Sequence, residues 1–249
     1  MLNNTYIHIP GVGKSLEHKI WAQGINTWEE FLEMKDKISM PSARKVKICE
    51  EIRKSSERLA EKDYCFFSQC LPSAEHWRAY PIFCDSIAFV DIETTGLSQS
   101  RDKITIIGVY DGKEPKTYIR GINLDEAIEE LSRYGLLVSF NGARFDLPFI
   151  KSEFPEFEFN QLHIDLMYPL RRIGYSGGLK NIEKQLGISR SDETEGISGF
   201  DAVRLWKQYE RGDPKALDIL IKYNNEDIVN LKVILELTYP KMVENILNP

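Results

Sequence analysis

From residue 86 onward, short apolar runs alternate with segments of helical periodicity, and this alternation restricts the fold more than any other feature of the chain. Residues 86–92 and 104–110 read as strands, Asp111-Gly112 as a turn and residues 116–120 as a third strand, which predicts a three-stranded meander. Asn123 stands where it can cap a helix reaching Tyr134, because Leu124, Ile128 and Leu131 recur on one face. Residues 136–140 form an almost wholly apolar strand, as expected where both faces of a sheet are covered. A helix starting near Phe145, a short strand over 162–166 and helices near 179–186 and 200–209 follow. Asp213 and Pro214 then start a long helix to about Leu237. The stretch 188–199, rich in Ser, Gly and charge, reads as a mobile loop. This is the order of an α/β domain over residues 86–249.

The first 64 residues have a different texture. A short apolar stretch at 6–9 leads into Pro10-Gly11-Val12-Gly13, then into helical spacing through Leu16, Ile20 and Trp21. A second helix is predicted over 27–34, with Thr27 and Glu30 at the spacing of a capping box, and a third over about 42–62. Pro72 and Pro81 make residues 65–85 a connector between this small helical domain and the larger one. The chain is 42% hydrophobic, enough for a buried core, and has no run of about 18 apolar residues. Residues 1–10 lack the basic start and apolar centre of a signal peptide, so a cytoplasmic location without a membrane partner is expected. Cys49, Cys65, Cys70 and Cys84 form no CxxC pair and are expected to be reduced structural thiols rather than zinc ligands.

Chemistry enters at the end of the first strand of the larger domain, Phe89-Val90-Asp91-Ile92-Glu93-Thr94-Thr95-Gly96-Leu97. Residues two apart on a strand share a face, so Asp91 and Glu93 converge. Two adjacent anions raise each other's pKa unless a cation compensates, and an all-oxygen donor set favours Mg²⁺ or Mn²⁺. A second segment, Ser139-Phe140-Asn141-Gly142-Ala143-Arg144-Phe145-Asp146-Leu147-Pro148, turns out of the fourth strand at Asn141-Gly142 and sets Asp146 near a helix N-terminus beside those carboxylates. In a third, Tyr223-Asn224-Asn225-Glu226-Asp227, a phenol and a carboxylate four residues apart share one helical face, with Glu226 turned away.

These three segments, in this order and on these elements, resemble the exonuclease motifs of the DEDD superfamily in its tyrosine subclass. The resemblance covers about residues 86–240 and implies a ribonuclease-H-like mixed sheet flanked by helices. It also implies a metal-dependent 3′-to-5′ exonuclease that hydrolyses phosphodiester bonds of nucleic acid with a free 3′ end, DNA or RNA, single-stranded DNA being favoured. Two Mg²⁺ or Mn²⁺ ions would be held by Asp91, Glu93, Asp146 and Asp227: Asp91 would bridge both, Glu93 and Asp227 complete the first site, and Asp146 supports the second. Tyr223 would orient the attacking water. By the same likeness Thr94, Thr95, Gly96 and Leu97 would grip the terminal nucleotide, Phe145 would stack on a base and Asn141 would contact sugar or phosphate. The histidine subclass would carry its base at position 222, which is Lys222.

Asp165, in His163-Ile164-Asp165-Leu166, is read as a supporting group rather than a ligand. The segment from Ile9 to Lys14 resembles the hairpin of a helix-hairpin-helix module, in which Gly11 and Gly13 let backbone amides approach phosphates and Lys14 adds charge. It departs from that pattern, since only nine residues precede the hairpin and a complete first helix cannot fit. A formal net charge of −6 argues against wholesale coating of nucleic acid. The acidic excess lies beyond residue 64, which is tolerable where carboxylates hold cations. Two alternatives are a structure-specific endonuclease on the same metals and a catalytically silent nucleic-acid-binding module. The second has no need of clustered carboxylates.

Overall fold

The computed structural model describes residues 1–247, which divide into two compact units: Met1–Asp85 with Asn160–His163, and Ser86–Phe159 with Ile164 onward. In the first unit a 3-10 turn at Leu2–Asn4 stands where a hairpin module would have its first helix, and α1 (Lys14–Trp21), α2 (Trp28–Met34) and α3 (Ser42–Ala60) follow. The capping box of α2 forms: the Glu30 N–H donates to Thr27 Oγ1 at 3.2 Å, and the Glu30 carboxylate accepts from the Thr27 N–H at 3.1 Å. Residues 65–85 are not the irregular connector that their prolines suggest. They fold as α4 (Tyr64–Cys70), a 3-10 stretch at Ser73–Ala79 and α5 (Tyr80–Phe83). Both prolines lie at helix starts, where a missing N–H costs nothing.

Arg78 shows why this segment packs inside its unit. It is fully buried, donates through Nη1 to Glu17 and Thr5, and pairs through Nε with Glu75 at 2.9 Å, so its charge is compensated by two buried carboxylates. His8, 4% exposed, lies between Trp28 at 5.0 Å and Phe67 at 6.4 Å, with Nε2 3.0 Å from Ser55 Oγ.

The second unit holds the sheet, apart from Leu162 and His163 at the start of its last strand. β1 (Ile87–Thr94), β2 (Ile104–Tyr110), β3 (Pro115–Ile119), β4 (Leu136–Ser139) and β5 (Leu162–Asp165) stand in the order β3-β2-β1-β4-β5. β1 is antiparallel to β2 and parallel to β4, so the meander runs into a crossover through α6 (Ala127–Leu131). Asn123 does not cap that helix by its side chain. Its Oδ1 accepts from the Ile119 N–H at 2.8 Å, closing the preceding turn, and a 3-10 turn at Leu124–Glu126 precedes α6. Then come α7 (Asp146–Glu153), α8 (Met167–Arg172), which the sequence reading missed, α9 (Leu179–Leu186), α10 (Gly199–Glu210) and α11 (Pro214–Leu247), which continues past the expected end at Leu237.

The two faces of the sheet are covered separately. Ala88, Val90 and Ile92 of β1 pack with Ile107 and Val109 of β2 against Ala127, Leu131, Phe149 and Ile150 of α6 and α7. On the opposite face Ile106 of β2 and Ile119 of β3 meet Ala202 and Trp206 of α10 and Leu220 and Tyr223 of α11. All seven residues of β2 are buried, as a strand covered on both sides requires, and each such Ile or Val contributes about 1.5–3 kcal/mol. The two β1 carboxylates therefore project toward α10 and α11. Among the described residues no helix is long and apolar enough to cross a membrane.

Burial lowers the pKa of His8 to about 4, below its ordinary 6.5. Between these values the unfolded chain binds the proton and the native one does not, so stability should fall as pH drops from about 6.5 toward 4, by about 3 kcal/mol in total. Urea unfolding at stepped pH should give a shallower decline over that window for His8→Asn than for the wild type.

Candidate metal and nuclease site

β1 carries Asp91 and Glu93 to a groove of about 600 Å³, whose lining also includes Asp146, Tyr223, Asp227, Asn141, Phe145 and the residues from Thr94 to Leu97. Ligand atoms of Asp91, Glu93 and Asp227 lie within 4.8 Å of one another. Asp146, the first residue of α7, lines the same groove outside that trio; its Oδ1 accepts from the Ile92 N–H at 3.2 Å, which anchors it to β1. Tyr223 and Asp227 are one turn apart on α11, and the buried Tyr223 ring is flanked by Lys180 Nζ, 4.4 Å from its centroid. All five side chains expected to act together thus meet in one groove.

Two like charges at such separations repel by roughly 3 kcal/mol at an effective dielectric of about 20. The proton affinities reflect that crowding. Burial, then the charges of Asp227 and Asp146, push Asp91 and Glu93 well above the ordinary carboxylate range. Burial pushes Asp146 up to about 7 and Asp227 to about 6, the latter against the pull of Arg190. The Tyr223 phenol is raised by burial and by the neighbouring Asp227 and Glu93, so it stays protonated and can donate. Clustered, partly protonated carboxylates with only oxygen donors fit a hard divalent cation, which would displace the protons and relieve the repulsion.

Several groups besides those five side chains set this geometry. Asn224, fully buried, donates Nδ2 to Asp91 Oδ2 at 2.9 Å and to the Asp91 carbonyl at 3.3 Å. The space for it is provided by Gly108, paired with Asp91 in the ladder; a Cβ there would come within 2.0 Å of Asn224 Oδ1. Asp102 shapes the loop after β1, accepting from the Ser98 N–H at 2.8 Å and from Thr95 Oγ1 at 3.3 Å, so close to Gly96 that a Cβ would lie 2.6 Å from it. Asp165 accepts from the N–H groups of Asn141, Ala143 and Met167 at 2.7, 3.1 and 3.2 Å, holding Asn141 at a φ of 63°. It supports the loop that precedes Asp146 by ordering its backbone amides.

The apolar groove residues fall into two groups. Leu97, 76% exposed, is not a core residue, whereas Phe145 is partly buried and packs on Phe149 at 4.8 Å while still lining the groove. Phe200 on α10, 73% exposed, also lines it, a position that sequence reading passed over because it looked like an ordinary apolar residue of an amphipathic helix. The stretch 188–199, expected to be mobile, is tied down: Thr194 is fully buried and bonds Glu226, and the Ser191 N–H donates to Glu226 at 3.3 Å. Glu226 faces away from the carboxylate trio, as helical phase requires. In the first unit Gly11 has a φ of 89° and Gly13 caps α1, both with open space at the Cβ position, but Lys14 is engaged with Glu75 at 2.6 Å.

A family model described as RNase_H superfamily matches residues 88–239, more than half of the chain. The chain belongs to the RNase_H superfamily. Its mixed five-stranded sheet between helical layers is accordingly the ribonuclease-H-like fold. Among solved structures it is similar to the family B DNA polymerase of the hyperthermophilic archaeon Pyrobaculum calidifontis, with a TM-score of 0.50 and 14% identity over 66% of this chain. That likeness takes in 27% of the polymerase chain and is one of fold. Brucella melitensis NrnC bound to pGG matches with a TM-score of 0.43 and 18% identity over 66% of this chain and 79% of that one. NrnC with bound Mg²⁺ matches with 0.41 and 20% over 66% and 80%. No curated protein matches the chain.

Two substitutions probe the electrostatic balance. Glu93→Gln removes one of the repelling charges, so the metal-free protein at pH 7.5 should melt higher, by about 2–4 °C for each kcal/mol relieved, while Mn²⁺ no longer raises its Tm. Calorimetric scans with and without Mn²⁺ read both effects. Gly108→Ala should force Asn224 off Asp91, cost about 1–3 kcal/mol in chemical denaturation, and weaken Mn²⁺ binding.

Proposed function

We propose that the chain is a metal-dependent 3′-to-5′ exonuclease acting on nucleic acid, single-stranded DNA above all. The observation that carries this reading is the convergence of Asp91, Glu93 and Asp227, with Asp146 and Tyr223 beside them, in an open groove. Asp91, Glu93 and Asp227 would hold one divalent cation, and Asp91 with Asp146 a second. When bound, such a pair lowers the pKa of the attacking water and neutralises charge on the leaving oxygen.

The chain's own residues supply position. Asn224 fixes the Asp91 carboxylate through Oδ2, leaving Oδ1 free of that bond. The protonated Tyr223 phenol orients the nucleophile by donating or accepting a hydrogen bond, which places the attack in line with the departing 3′ oxygen. The loop from Thr94 to Leu97, stiffened by Asp102, receives the terminal nucleotide, with Leu97 and Phe145 offering apolar surface to its base. Asn141, whose N–H is held by Asp165, meets the sugar or phosphate.

An oligonucleotide labelled separately at each end tests this reading. With Mn²⁺ the 5′-labelled strand should shorten in single-nucleotide steps and the 3′ label should appear at once as a mononucleotide. Asp91→Ala should abolish both, and Tyr223→Phe should slow turnover by about 100-fold or more. Cleavage of a closed circular strand would assign an endonuclease instead, and digestion that persists in excess chelator would overturn the metal mechanism.

A further inference from the structure

Behind the carboxylate trio stands a buried relay that none of the motifs includes. Arg190, from the loop between α9 and α10, donates Nε to Glu183 Oε2 at 2.7 Å and Nη2 to Glu183 Oε1 at 2.6 Å. The same Nη2 also contacts Asp227 Oδ1. Glu183 on α9 is in turn held from α11, where Asn230 Nδ2 donates to its Oε1 at 2.8 Å. The side chains of Arg190, Glu183 and Asp227 are 6%, 2% and 7% exposed. Asn230 and Asp227 lie three residues apart on α11, so the relay leaves that helix and returns to it within one turn.

Resting on the metal-dependent reading above, we infer that Arg190 is a positioning residue for Asp227, fixing one carboxylate oxygen so that the other is presented to the cation. Three features exclude a looser role. The guanidinium is clamped on two nitrogens by Glu183, so it is a fixture of the site and not a counter-charge free to leave when a cation arrives. Its planar fork can serve two carboxylates at once, which an ammonium cannot do with the same geometry. Arg190 is not among the residues lining the groove, and its guanidinium carbon stands 5.5 Å from the centroid of the Tyr223 ring, so it meets Asp227 among packed side chains and not across the groove. An aspartate held on one oxygen by a buried arginine loses the freedom to swing or to chelate through both oxygens, and residues behind a metal ligand that orient it typically matter 10–100-fold.

The test measures cation binding directly, apart from catalysis. Mn²⁺ titrated calorimetrically into chelator-treated protein should bind Arg190→Met about tenfold or more weakly than wild type, with a broadened Mn²⁺ electron paramagnetic resonance signal. In the nuclease assay kcat should fall by a similar factor with KM for the oligonucleotide unchanged, and Arg190→Lys should restore only part of the Mn²⁺ affinity. Asn230→Ala, which leaves the ion pairs in place and loosens only Glu183, should shift affinity in the same direction by less, and covers the case in which Arg190→Met does not fold. Equal or tighter Mn²⁺ binding by Arg190→Met, or by Asn230→Ala where Arg190→Met does not fold, would overturn the inference, as would a raised KM with kcat intact, which would put Arg190 on the substrate. Failure of the wild type itself to bind Mn²⁺ would instead defeat the nuclease reading on which the inference stands.

Discussion

Mutual repulsion among Asp91, Glu93 and Asp227 is the force against which much of the second unit is organised. Ligand atoms within 4.8 Å of one another in a partly desolvated groove would drift apart or take up protons unless neighbours opposed it. Three of the four groove carboxylates are accordingly gripped by a neighbour. Asn224 holds Asp91, Arg190 holds Asp227, and the Ile92 amide holds Asp146. The remaining tension is expressed as proton affinity, which makes the cluster a receptor for positive charge.

Two periodicities with different repeats supply the convergence. A strand returns a side chain to the same face every second residue and a helix nearly every fourth, so Asp91 with Glu93 and Tyr223 with Asp227 form two short rows that meet where α11 lies over β1. The ladder register shifts between Glu93 and Thr94, so the carboxylates stand where the strand begins to leave the sheet. The loop beyond is closed by Asp102, and Gly96 permits it because a side chain there would collide with that carboxylate.

Much of this was legible in the amino-acid order, and for a consistent reason. β2 and α9 coincide with their expected bounds because apolar periodicity and terminal signals agree there, and the three acidic segments could be read because a motif is a local spacing on one element. What escaped depends on distance in sequence. Asn224 matters only because Gly108, on another strand, leaves room for it, and Arg190 sat in a Ser- and Gly-rich stretch whose composition suggested freedom. Its loop is pinned by Glu183 and Glu226, partners that no local pattern reveals. Residues 65–85 misled for a related cause: their prolines stand at helix starts, and the buried Arg78 that binds them to their unit finds its partners as far back as Thr5.

Tyr223 belongs at once to the carboxylate-lined groove and to the apolar layer it shares with Ile106, Ala202 and Trp206. One ring therefore meets two demands, close packing on one side and an open groove on the other. A lineage that traded this phenol for a smaller or more polar group would inherit a void beneath the sheet, so any such exchange should travel with compensating enlargement at the facing positions of α10 or β2.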